Sequence, residues 1–227
     1  TIIMPKNAPK AKIENTRALG GDVILYDRET ESREEIGEKL QAERGATLVR
    51  PYDDPMIISG QGTVGIEIAE QSAELGVIPD IVITPAGGGG LVSGTALGIS
   101  GTINCPVYSA EPATFDDTKR SLESGERQSV PDGAQSICDA LLSPTPGEIT
   151  FPINHRLLAG GLSVTDEEAL DAMKVAMLSL KIVVEPGGAV ALASALTGKL
   201  DLAVKTVVVV CSGGNVDPEM LARALAR

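Results

Sequence analysis

Four consecutive glycines, Gly87, Gly88, Gly89 and Gly90, stand in the stretch ITPAGGGGLVSG at 83–94, after an apolar run and before a helical pattern. Each loses more conformational freedom on folding than any other residue would, so something must offset that cost. Without a Cβ, backbone N–H groups can approach an anion, and the helix that follows directs its positive dipole end at the same point. A phosphate is the natural occupant; the alternative is a close-packed turn without ligand. A dinucleotide fingerprint fails, because Gly87 and Gly89 would need a third glycine where Val92 stands. A nucleoside-triphosphate loop fails too, because Thr95 and Ala96, not lysine, follow Gly94. What remains is a small phosphorylated group held mainly by backbone.

A second cluster, CSGGNVDP at 211–218, also follows an apolar strand and precedes a helix. Both loops can open on one sheet edge, with the Ser212 hydroxyl in the crevice or else capping a turn. The lysines promise less. Lys10 and Lys12 lie near a helix start, Lys119, Lys174, Lys181, Lys199 and Lys205 in polar or helical contexts, and each reads as a solvated charge. His155 has no carboxylate or nucleophile at a recognisable spacing and reads as a loop histidine.

The elements that position these loops alternate. Strands are expected at 1–4, 22–26, 47–50, 80–84, 106–111 and 206–212. Helices are expected over 8–19, from Ser32 to Gly45, over about 62–75, after the glycines, behind Thr165 and from Asp217. Ser32 with Glu35, and Thr165 with Glu168, have capping-box spacing. Asp217 reads as the cap of the last helix, with Pro218 in its first position. The polar stretch from about 112 to 161 resists assignment. Continuous apolar strands interleaved with helices imply an α/β fold of open, mostly parallel sheets with helices on both faces. RPYDDP interrupts the rhythm, so the expected units are 1–50 and 51–227.

Composition narrows the partners. The chain has 227 residues, 19 Lys and Arg against 31 Asp and Glu, and a net charge of -12, which repels nucleic acid and anionic membrane surfaces. No stretch offers the about 20 apolar residues that cross a bilayer, and the first residues lack a secretory layout, so a cytoplasmic protein is expected. Cys105, Cys138 and Cys211 are odd in number and far apart, which suggests free thiols.

Taken together, TPAGGGGLVSG, YSAEP, VVEPGGAVALA and VVCSGGNVD, with the opening MPKNAPKAKIENTRALGGDVILY and the later SGQGTVGIEI, resemble the pyridoxal-phosphate enzymes of the tryptophan-synthase-beta fold. Within these the chain is similar to the serine/threonine dehydratase and serine racemase group. The resemblance implies that Gly87 to Gly90 hold the cofactor phosphate and that Ser212 hydrogen-bonds the pyridine nitrogen. It implies that Glu185 lies near the cofactor and substrate pocket, an ordinary helix-start carboxylate being the alternative. It further implies that Glu111, Asp117 and the Phe115 carbonyl bind magnesium or calcium, against the alternative of a solvated acidic loop. The family's A-D-G element is replaced by Cys138, Asp139, Ala140.

The lysine that forms the family's Schiff base lies in a serine-x-lysine-x-arginine-glycine element, and no such element occurs here. Nor does its serine-glycine-asparagine-histidine element. Both are expected upstream of Thr1, which opens inside an apolar strand, so no catalytic residue is assigned within the chain. The resemblance implies a dehydratase that turns a small hydroxy amino acid, such as threonine or serine, into a 2-keto acid and ammonia, in a homodimer. Racemisation and non-catalytic binding of a phosphate ligand are the alternatives.

Overall fold

A computed structural model describes residues 1–227. Strands β1 (Ile2–Pro5) and β2 (Val23–Tyr26) pair in parallel, with Ile3 opposite Ile24. Helix α1 (Lys10–Ala18) joins them and α2 (Arg33–Arg44) follows. The Ser32 hydroxyl accepts the Glu35 N–H at 3.2 Å, and Gly45 ends the helix in a left-handed conformation with φ 61°. The return bond of a capping box is not formed there. Residues 47–50, expected as a strand, pair with nothing, because this sheet holds only β1 and β2.

Helix α3 spans Pro55–Glu74 and starts well before the expected Gly62. Asp54 accepts from Met56 N–H at 2.8 Å and Ile57 N–H at 3.1 Å, and Pro55 takes the first position, where a missing N–H costs nothing. Gly60, Gly62 and Gly65 weaken the helical pattern in sequence, yet two of them are needed for packing. They bring α3 backbone to backbone against α4 (Gly90–Ser100): a Cβ on Gly65 would lie 2.8 Å from Ile99 N.

The main sheet has the order β5-β4-β3-β6, all parallel: β5 (Leu158–Val164), β4 (Val107–Pro112), β3 (Ile81–Pro85), β6 (Val207–Val209). Helices α5 (Asp117–Ser124) and α6 (Thr150–Leu157) and most of β5 lie in the stretch that resisted assignment. Next come α7 (Asp166–Val175), which runs into a π-helical turn at 176–180, then α8 (Pro186–Leu196) and α9 (Pro218–Leu225). At Thr165 the capping box is complete, with bonds of 2.8 and 3.1 Å.

Every residue of β3 is buried, as a central strand covered on both faces must be. Its alternation divides the core: Ile81 and Ile83 pack with Leu170 and Met173 of α7 and Val190 of α8, whereas Val82 packs with Val92, Ala96 and Ile99 of α4. Helices therefore lie on both faces of a parallel sheet, as the sequence predicts. The three thiols are free. No helix is long and apolar enough to cross a membrane.

Candidate functional site

Strand β3 delivers the glycines to the sheet's carboxyl edge, and its parallel neighbour β6 delivers 210–217 to the same edge. The two glycine clusters do open together, at the place where open α/β sheets hold ligands.

Gly89 precedes α4 with φ 95°, a conformation that residues with a Cβ rarely adopt. Gly88, Gly89 and Gly90 are buried, and Gly87 is half-buried. None of the four amide N–H groups donates to a protein acceptor. Buried backbone donors are almost always paired, so a run of adjacent free ones has the chemistry to receive an anion.

The outside of this loop is closely walled. A Cβ on Gly88 would enter the ring of Tyr52, and one on Gly90 would lie 2.9 Å from Tyr52 Cβ. A Cβ on Gly87 would lie 3.2 Å from Leu141 Cα, which brings the Cys138-Asp139-Ala140 element against the same loop. Tyr52 was not singled out from sequence; its position inside the interrupted RPYDDP segment is the only signal that marks it.

Glu185 stands at the start of α8, 6% exposed, and its side chain does not cap that helix. Its N–H donates to the Gly213 carbonyl at 3.0 Å, and a Cβ on Gly213 would lie 2.7 Å from Glu185 Oε1. The carboxylate thus faces the loop that carries Ser212, whose side chain is exposed. Opposite it lies Lys12 of α1, with Nζ 2.9 Å from Glu185 Oε2 and 3.0 Å from Asp139 Oδ2. Lys12 is thus no solvated surface charge. Burial alone would lower its pKa, but the two carboxylates outweigh that and raise it, so the ammonium stays protonated and is no nucleophile.

Asp217 holds the N-cap position of α9 with Pro218 behind it, as expected, but its side chain makes no bond to that helix and accepts instead from Ala11 N–H at 2.9 Å and Lys10 N–H at 3.2 Å. It caps α1, whose own N-cap position is Pro9. The end of the second glycine cluster therefore ties down the helix that presents Lys12.

Glu111 is the last residue but one of β4, fully buried, and its two oxygens accept Thr118 N–H at 2.9 Å and Lys119 N–H at 2.8 Å. It serves as a carboxylate at the amino end of α5. Burial, and then the nearby Asp117, push its carboxyl well above the usual range. Burial raises Asp117 to about 7, and its Oδ2 has no partner. Phe115 is buried between them in sequence. Glu111 and Asp117 are thus brought together, but no group of three His, Cys, Asp or Glu side chains gathers anywhere to hold a metal ion. His155 is exposed, its ring 5.6 Å from that of Phe151.

The family model for pyridoxal-phosphate dependent enzymes matches residues 1–213. The chain is 37% identical over 227 residues to a serine racemase of Schizosaccharomyces pombe, covering all of this chain and 69% of that protein. It is also 37% identical over 227 residues to an L-threo-3-hydroxyaspartate ammonia-lyase of Saccharomyces cerevisiae, covering 68% of it. The structure of maize serine racemase superposes with a TM-score of 0.85 at 36% identity, over 99% of this chain and 68% of that one. The chain thus spans about two thirds of the length of these relatives. On a matched family model, the shared fold and the glycine loop at the sheet edge, the chain belongs to the family of pyridoxal-phosphate dependent enzymes.

Proposed function

We propose that the chain is part of a pyridoxal-phosphate-dependent ammonia-lyase that converts a small hydroxy amino acid, such as threonine, serine or a 3-hydroxyaspartate-like compound, to a 2-keto acid and ammonia. The observation that carries this reading is the set of four free, adjacent amides at Gly87 to Gly90. Those amides would hold the cofactor phosphate. When bound, pyridoxal phosphate supplies an electron sink that makes loss of the substrate's α-proton feasible. Ser212 would meet the pyridine nitrogen with a neutral hydroxyl, which leaves that nitrogen largely uncharged and favours loss of the β-hydroxyl over transamination. Glu185, faced by the Lys12 ammonium, would place a charge-balanced carboxylate beside the cofactor pocket.

The reading assigns the cofactor-bonding lysine, which also takes the α-proton, to a segment upstream of Thr1. Lys12 is held protonated by two carboxylates and cannot take that part. It divides the chain into 1–50, which carries the β1–β2 pair, and 51–227, which carries the four-stranded sheet. It places magnesium or calcium at Glu111, Asp117 and the Phe115 carbonyl, and includes a cytoplasmic homodimer.

Racemisation is the second reading, supported by the serine racemase of S. pombe at the same identity as the ammonia-lyase. One experiment separates the two. Full-length protein loaded with pyridoxal phosphate is given L-threonine, L-serine and L-threo-3-hydroxyaspartate, with 2-keto acid, ammonia and D-amino acid all measured. Stoichiometric keto acid and ammonia are expected from at least one; D-amino acid alone would select the racemase, and no turnover of any would defeat both.

A further inference from the structure

We propose that Asp53 and Thr150 are positioning residues that aim the amides of the glycine loop, an inference that rests on the phosphate-binding reading above. The Gly88 carbonyl accepts two hydrogen bonds, from the Thr150 hydroxyl at 2.7 Å and from Gly147 N–H at 3.1 Å. A trans peptide points its C=O and its N–H in opposite directions. Holding the Gly88 carbonyl against α6 therefore turns the Gly89 N–H away from α6, toward the open side of the loop. The same helix walls the loop from below. Asn154, fully buried, accepts the Ser93 hydroxyl on its Oδ1 at 2.8 Å, and its Nδ2 has no partner and would lie 2.8 Å from a Cβ on Gly89.

Thr150 is in turn set by Asp53. One oxygen of that side chain, Oδ1, accepts Ile149 N–H at 2.7 Å and Thr150 N–H at 3.2 Å, so it supplies the cap that α6 lacks in its own sequence. To reach there Asp53 takes φ 44°, a left-handed conformation that costs energy in a residue with a Cβ. Its neighbours commit the rest of the segment: Tyr52 lies on Gly88 and Gly90, and Asp54 caps α3. The strap at 52–54 thus joins the start of α3 to the start of α6 and, through one hydroxyl, to the peptide that a phosphate would touch. A change in the strap is felt as a change in the aim of the Gly89 N–H.

The test is calorimetric titration of the full-length, cofactor-stripped protein with pyridoxal 5'-phosphate and, separately, with pyridoxal, which has no phosphate. Thr150→Val keeps shape and removes the hydroxyl, and it is expected to weaken pyridoxal phosphate about five- to tenfold while leaving pyridoxal unchanged. Thr150→Ser restores the hydroxyl and should return affinity to within about twofold of the unmodified protein. Asp53→Ala should weaken pyridoxal phosphate in the same selective way and Asp53→Asn, which retains an oxygen acceptor, less so; this pair decides the matter should Thr150→Val not fold. Unchanged affinity in Thr150→Val and Asp53→Ala, or equal loss for both ligands, overturns the positioning role. An unmodified protein that binds neither ligand overturns the phosphate-binding reading itself.

Discussion

Lys12 Nζ lies 2.9 Å from Glu185 Oε2, joining the first helix of the chain to the N-cap residue of α8. Asp139 Oδ2 completes the group at 3.0 Å, and the side chains of Lys12, Glu185 and Asp139 are only 18%, 8% and 22% exposed. One cation here balances two carboxylates, both from elements that touch the glycine loops. Asp217 supports the arrangement by capping α1, so Lys12 is presented on a fixed helix. Because the pair raises the Lys12 pKa, its contribution is fully present below the ordinary lysine value and is lost only as pH rises beyond the raised one. It is constant across the neutral range.

Removing that cation leaves two carboxylates facing each other with little water. Lys12→Gln is expected to lower unfolding free energy by about 2 kcal/mol, less than a fully buried pair would lose because all three groups keep some exposure. Urea denaturation at neutral pH measures it. Glu185→Gln combined with Lys12→Gln should recover part of the loss, since one uncompensated charge goes with it. A Lys12→Gln protein as stable as the unmodified one would show that the three groups relax into solvent at no cost.

Tyr52 and Gly88 make a second coupled pair. Gly88→Ala drives a methyl into the tyrosine ring, which must swing off the loop, at a cost of about 1–3 kcal/mol. Tyr52→Ala in the same protein vacates that space, so the double variant should be more stable than the sum of the singles implies, by about 1 kcal/mol. Denaturation midpoints without cofactor read this directly. Strict additivity would mean that the loop, not the ring, gives way.

How much of this was legible in the sequence follows from what each signal depends on. The glycine loop, β3, the Thr165 capping box and the parallel alternation depend on neighbours in the chain, and all were readable. Helix α3 extends beyond the expected range because Gly60, Gly62 and Gly65 oppose a helix locally, whereas the value of Gly62 and Gly65 lies in contact with α4. Strand β5 was missed because LAGGLSV carries two glycines and no sustained alternation. The partners of Lys12 and of the Asp217 side chain are hidden because a solvated charge and a tertiary partner look alike in sequence: Asp217 stands at the N-cap of α9 as expected, yet its carboxylate caps a helix whose Ala11 stands 206 positions earlier. Thr150 and Asp53 belong to the same class, with partners on elements brought together only by the fold.

Asp117 carries the pH dependence. Burial holds its carboxyl at about 7 against an ordinary value of 3.8, and Oδ2 has no partner. Below the ordinary aspartate value folded and unfolded states are both protonated and the contribution is fully present. Between there and about 7 the folded state keeps a proton that the unfolded state releases, so stability falls as pH rises through this window. The melting temperature is therefore expected to drop from pH 5 to pH 8, with Asp117→Asn flattening that slope. Glu111, raised in the same direction beside it, adds to the effect. Should the pair take a divalent cation, millimolar magnesium or calcium will raise the melting temperature at pH 8 more than at pH 5, and will do so in the unmodified protein but not in Asp117→Asn, because the cation competes with the protons that these carboxyls bind at low pH. A cation effect that is equal at both pH values, or that survives Asp117→Asn, would place the ion elsewhere and leave Glu111 as the cap of α5 alone.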